Sequence, residues 1–324
     1  MGSDFRPVSR ENIEALWLQL EERAAAPGFD RRAGIFGPGS VSWRVNRESA
    51  LFLGAGRAAL LQLAHPWVAA SLDQHSTLRA DPLARFHNTF RIVFTMVFGS
   101  FEQAMAASHH LYRLHTHIEG ELATDIGTYH RGSRYMANEV NALLWVFATL
   151  IDSALLAYES VLAPLSDVER EAYYTESKML AALFGIPAEA MPGAWSDFAQ
   201  YMHDVVAGDQ LGVDPVARQM AGDVLHGKGS WIPVPGWYRA LTAAWLPDRM
   251  RVEFNLPFDE SQQLSGQRAQ RWLRHIVPRM PAVLRFVGPY HEARSRLCDK
   301  QPGLATRASN RFWMGSARMM FGEQ

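Results

Sequence analysis

Cysteine is nearly absent from this 324-residue chain: Cys298 is the only one. A lone thiol excludes an internal disulfide framework and a thiolate zinc cluster, and it suits a reducing compartment. Excess charge is absent too. With 32 Lys and Arg against 33 Asp and Glu, the net charge is -1, so no broad attraction to nucleic acid or anionic lipid is expected. The opening residues, MGSDFRPVSREN, lack an apolar signal core. The longest apolar run, Ala50 to Ala70, is interrupted by Gly54, Gly56, Arg57, Gln62, His65 and Pro66, which argues against stable membrane insertion. The expectation is a cytoplasmic protein without a nucleic-acid partner.

Strand signals are also scarce. No β-branched run alternates with polar residues, and no Asn-Gly hairpin occurs. Helical periodicity instead recurs at 48–64, 67–74, 81–98, 101–119, 138–163, 166–184 and 194–207. Looser patterns follow at 214–225, 237–245, 261–276 and 279–297. Ser9 caps a first helix that ends near Pro27-Gly28, residues 27 to 40 read as an irregular crossing segment, and Asn138 is positioned to cap the long apolar helix after it. An all-α fold of one large domain, residues 1–324, follows. Gly227 to Gly236 (GKGSWIPVPG) is the loop best suited to cover a pocket.

Several catalytic patterns are missing. Gly54-x-Gly56-x-x-Ala59 lacks the preceding strand of a dinucleotide fingerprint and reads as close helix packing. No Glu-x-x-His or His-Glu-x-x-His occurs, which removes the di-iron and metalloprotease signatures. His109, His110, His115 and His117 share one helix, but only His110 and His117 fall closely on one face. One histidine acting alone, as a haem axial ligand does, stays open.

What is present is a series of polar groups on apolar helices, from His65 through His75, Arg85, Thr89 and His115 to Thr149 and Asp152. Each is costly to bury without a partner. Arg85 and Thr89 share one face, a turn apart; Arg85 reads either as solvated beside Asp81 or as buried. Thr149 either bonds a preceding carbonyl or faces a ligand. Asp152 calls for a cation, with Arg85 or a histidine as candidates. His65 and His75 are candidates for proton handling, since histidine titrates near neutrality; His65, before Pro66, also reads as a helix cap.

Together these pieces resemble the haem-dependent oxygenases that include latex clearing protein (rubber oxygenase) and MpaB. The resemblance spans about residues 36 to 255 and rests on PGSVSWRVNRESALFLGAGRAALLQLAHPWVAA, His75-Ser76, DPLARFHNTF, HTHIEG and LLWVFATLIDSALLAYE. It implies an all-α fold enclosing a b-type haem, with helices 256–324 packed on it. His115 corresponds to the axial iron ligand, with His117 as its rival. Arg85 and Thr89 correspond to an Arg-x-x-x-Thr pair near the haem, and Thr149 to a recurring threonine. Asn88 stands where rubber-cleaving members have lysine, and Phe147 where many short members have histidine. The implied activity is an oxygenase acting on a small apolar, alkene or isoprenoid-like substrate with dioxygen or peroxide; the alternative is a haem carrier or sensor without turnover. Oligomeric state is not legible.

Overall fold

The computed structural model describes residues 6–76, 81–228 and 233–320. Part of the Gly227–Gly236 loop lies outside these residues.

The chain runs α1 (Arg10–Ala24), α2 (Val41–Asn46), α3 (Ala55–Leu63), α4 (Pro66–His75), α5 (Pro82–Phe98), α6 (Phe101–His115), β1 (Glu119–Glu121), β2 (Arg134–Met136) and α7 (Val140–Val161). It continues through α8 (Asp167–Leu183), α9 (Trp195–Ala207), α10 (Pro215–His226), α11 (Gly236–Trp245) and α12 (Asp248–Glu253). The last elements are α13 (Glu260–Ile276), α14 (Ala282–Arg285), α15 (Gly288–Leu297) and α16 (Leu304–Met314). Among the described residues the fold is all-α apart from the short antiparallel β1–β2 pair.

Local chemistry accounts for most boundaries. Ser9 caps α1 by accepting from Asn12 N. Asp81 caps α5 ahead of Pro82, and Ser100 and Gln103 close a capping box on α6. The long helix starts differently from expectation. Glu139, not Asn138, is its N-cap and accepts from Ala142 N; Asn138 is turned to donate to the Val8 carbonyl. The expected 48–64 helix is a 3₁₀ turn at Ser49–Gly54 leading into α3, and 279–297 is broken at Pro281 and Pro289 into two helices.

α7 is the central helix. It is long and apolar enough to cross a membrane by composition, yet 61% of its most apolar window is buried inside the protein. The 3₁₀ turn at 49–54 and α3 lie along it, and Gly54 makes the approach possible: a Cβ there would stand 2.5 Å from the Ser153 carbonyl oxygen. The Gly-rich stretch is therefore close helix packing. The main hydrophobic core extends from Val8 to Met319, with α15 and α16 packed on α5, and two smaller clusters lie beside it.

Candidate functional site

α5 and α6 form an antiparallel hairpin pivoting at Gly99-Ser100. Arg85 lies in the first turn of α5, and His115 ends α6. At ~1.5 Å rise per residue, each is ~21 Å from the pivot, so both occupy the open end of the hairpin. The sequence also sets their facing. Phe86, Phe90, Phe94 and Phe98 recur every fourth residue, and the first three pack on Phe52, which stacks on Trp313 at 3.5 Å. Arg85, Thr89, Ile92 and Met96 make a second stripe away from these rings. On α6, Phe101, Ala104, Ser108 and Leu111 are buried, and His115 is the next position on their stripe.

His115 is half-buried, yet desolvation, with the nearby positive charge of Arg85 second, pushes its pKa down to about 4. Among the described residues its imidazole has no hydrogen-bond partner. Arg85 is likewise half-buried, its pKa lowered by desolvation, and its guanidinium has neither an ion-pair nor a hydrogen-bond partner among the described residues. Asp81 does not pair with it; that carboxylate is occupied in capping Ala84 N at 2.9 Å. His117 is different. It lies beyond the helix end, exposed, with Nδ1 bonded to the Arg113 carbonyl at 2.6 Å. The inward, unpartnered histidine is His115.

The remaining candidates fall in several places. Thr89 sits with Arg85 and donates to the Arg85 carbonyl at 3.0 Å. Asn88 is exposed and accepts from Arg91 at 2.9 Å. His75 is exposed and bonds the Glu119 carbonyl at 2.9 Å, tying α4 to β1 just after His115. Gly120 serves the same junction, because a Cβ there would meet the Tyr135 hydroxyl at 2.5 Å. Thr149 donates to the Val146 carbonyl at 2.7 Å and accepts from Gln62 at 3.1 Å, and Phe147 packs on Phe184; neither has uncovered surface. Asp152 pairs with neither Arg85 nor a histidine. Its partner is Arg57, at 2.6 Å. Arg57 was legible only as part of a Gly-rich helix, and nothing in its spacing pointed to Asp152. Among the described residues, no three His, Cys, Asp or Glu side chains gather as a metal site.

His65 is buried away from this pair. Its Nε2 faces the Tyr129 hydroxyl at 3.4 Å, its Nδ1 is unpartnered, and it makes no side-chain cap to α4. Desolvation lowers its pKa to about 4. The unfolded chain takes up this proton below about pH 6.5 and the folded protein only below about pH 4. The stability His65 contributes is complete above the upper value and is lost as pH falls through the lower, up to ~3 kcal/mol. Between pH 7 and 4.5, urea unfolding should show a drop that is smaller by ~2–3 kcal/mol in His65→Phe than in the parent; an equal drop in the variant would refute the assignment.

The fold is all-α among the described residues, and the family match assigns it to the class of oxygenase catalytic domains. The chain belongs to the family described as ER-bound oxygenase mpaB/B′/rubber oxygenase, catalytic domain, whose family model matches residues 43–277. No curated protein and no solved structure matches the chain. The family match includes Arg85 and His115 and extends through α13, while α14 to α16 lie beyond it.

Proposed function

We propose that this chain is a haem b oxygenase with His115 as the iron ligand. The observation that carries this reading is the pairing, at one end of a helix hairpin, of a neutral unpartnered imidazole with an unpaired guanidinium. A neutral imidazole offers a lone pair to iron, and a guanidinium in low dielectric calls for a carboxylate. A haem answers both, with its metal and its propionates. The Phe and Leu side chains of the surrounding helices suit its apolar faces.

When bound, haem supplies the redox chemistry that activates dioxygen or peroxide. The protein's part is to hold and orient. His115 stays unprotonated across the physiological range, so the ligand nitrogen does not have to lose a proton first. Arg85 fixes a propionate, and its charge reinforces the neutrality of His115. Thr89 retains hydroxyl lone pairs beside Arg85 that can accept a hydrogen bond. Asn88, which accepts from Arg91, stands where the rubber-cleaving members have lysine, so the proposed substrate is a small apolar molecule of the alkene or isoprenoid-like class and not polyisoprene itself. Phe147 and Thr149 serve the core, and His65 and His75 hold structure.

The test is the visible spectrum of the protein expressed with haem precursor. A Soret band in stoichiometric amount is expected, together with oxygen- or peroxide-dependent turnover of an alkene; a preparation that takes up no haem overturns the reading. Arg85→Ala should weaken haem binding by about 10–100-fold, as loss of an outer partner does at metal sites, without lowering the urea midpoint of the haem-free protein. Unchanged haem affinity would remove Arg85 from the site.

A further inference from the structure

Past its first residue, Glu260, the face of α13 that turns away from the core carries arginine without acid. From Ser261 to His291 the sequence contains no Asp or Glu, and it contains Arg268, Arg271, Arg274, Arg279 and Arg285. Only Arg285 is neutralised, by Glu48 at 2.7 Å; the other four have no ion-pair partner among the described residues. α11, which packs along α13, contributes no acid either and adds Arg239. The chain's near-neutral total hides this face.

Large apolar side chains stand among these arginines. Trp272 is 58% exposed, Val283 47% and Leu284 61%, with Ile276 and Leu264 also uncovered. Trp272 and Ile276 lie four apart on the same side as Arg268, and Arg285 reaches back to the Pro278 carbonyl, so α14 stays folded against the end of α13. Arg271 and Arg274 flank a shallow groove of about 360 Å³ with Gln267 and Gln270.

We propose that α13 and α14 dock this protein peripherally on an anionic membrane surface. The unpaired arginines attract anionic headgroups, and the groove between Arg271 and Arg274 receives a phosphate. Trp272, Ile276, Val283 and Leu284 enter the headgroup–acyl boundary, as interfacial amphipathic helices do. Charge complementarity alone would also suit a nucleic acid, but stacking on bases needs aromatic rings, and here all the exposed apolar residues except Trp272 are aliphatic. A partner helix would need a continuous apolar groove, whereas these apolar side chains are interleaved with arginines.

Flotation of the full chain with vesicles tests this. Binding is expected to phosphatidylcholine vesicles containing phosphatidylglycerol, weakening with salt, and not to phosphatidylcholine alone. Arg268→Gln/Arg271→Gln/Arg274→Gln should lower partition by about a hundredfold, and Trp272→Ala by about tenfold. These side chains are exposed, and circular dichroism of both variants should match the parent. No partition into the anionic vesicles, or equal partition of the triple variant, overturns the proposal. Arginine-dependent, Trp272-independent binding to heparin without vesicle binding would overturn it in favour of a soluble polyanion. Self-association abolished by Trp272→Ala, without vesicle binding, would overturn it in favour of a second copy of the chain.

Discussion

Expressed with haem precursor, His115→Ala should emerge without a Soret band, while His117→Ala should keep one of full intensity. The expected loss of affinity exceeds about a hundredfold, because even outer partners of metal ligands are worth 10–100-fold. Only Thr116 separates these histidines, yet their placement and hydrogen bonding differ. His115 continues the buried stripe of α6, stays neutral down to about pH 4 and has no hydrogen-bond partner among the described residues. His117 would have to leave the Arg113 carbonyl, 2.6 Å away, and turn inward past the helix end. Since His115 makes no hydrogen bond that its loss would orphan, the haem-free variant should unfold at an unchanged urea midpoint. Added imidazole should restore part of the band by entering the space left by the side chain. Retention of haem by His115→Ala with loss in His117→Ala would reassign the ligand.

How far the site was legible follows from what periodicity can encode. The stops at Asp81-Pro82 and Gly99-Ser100 are local, and they suffice to place Arg85 and His115 at one end of a hairpin. Composition extends α6 four residues too far, because Thr116 to Glu119 still look helical; the chain leaves the helix there to pair Glu119–Glu121 with Arg134–Met136. The demand for Gly120 was invisible, since the Tyr135 hydroxyl that excludes a Cβ arrives from the next strand. α16 is too polar on its outer face to stand out, and its contribution, Trp313 on Phe52, is purely tertiary. The expectation of no attraction to anionic lipid rests on the whole-chain sum, which cannot report that the arginines of α13 have no ion-pair partner among the described residues. Spacing along a helix predicts which side chains share a face. It does not say which facing helix meets them, and for that reason spacing alone does not lead from Asp152 to Arg57.

That reassignment carries the second large effect. Asp152→Ala should destabilise the protein by ~3 kcal/mol, because it leaves the buried Arg57 guanidinium charged with only neutral partners. Those partners are the Trp245 carbonyl at 2.9 Å and the Ser153 hydroxyl at 2.7 Å. Arg57→Met should cost less. The Asp152 side chain is 26% exposed and can be rehydrated, whereas that of Arg57 is only 9% exposed, and the Met side chain fills the space of its stem. Urea titrations of the two variants measure this asymmetry; equal losses would mean that the pair, rather than the stranded guanidinium, sets the cost. The same pair bears on the cofactor. Had Asp152 neutralised Arg85, no cation would be left over at the open end of the hairpin. With Arg57 as its partner, Asp152→Ala should lower stability and leave haem affinity per folded molecule intact, while Arg85→Ala should do the opposite. A common loss of both properties in both variants would show that the ion pair and the haem site form one unit.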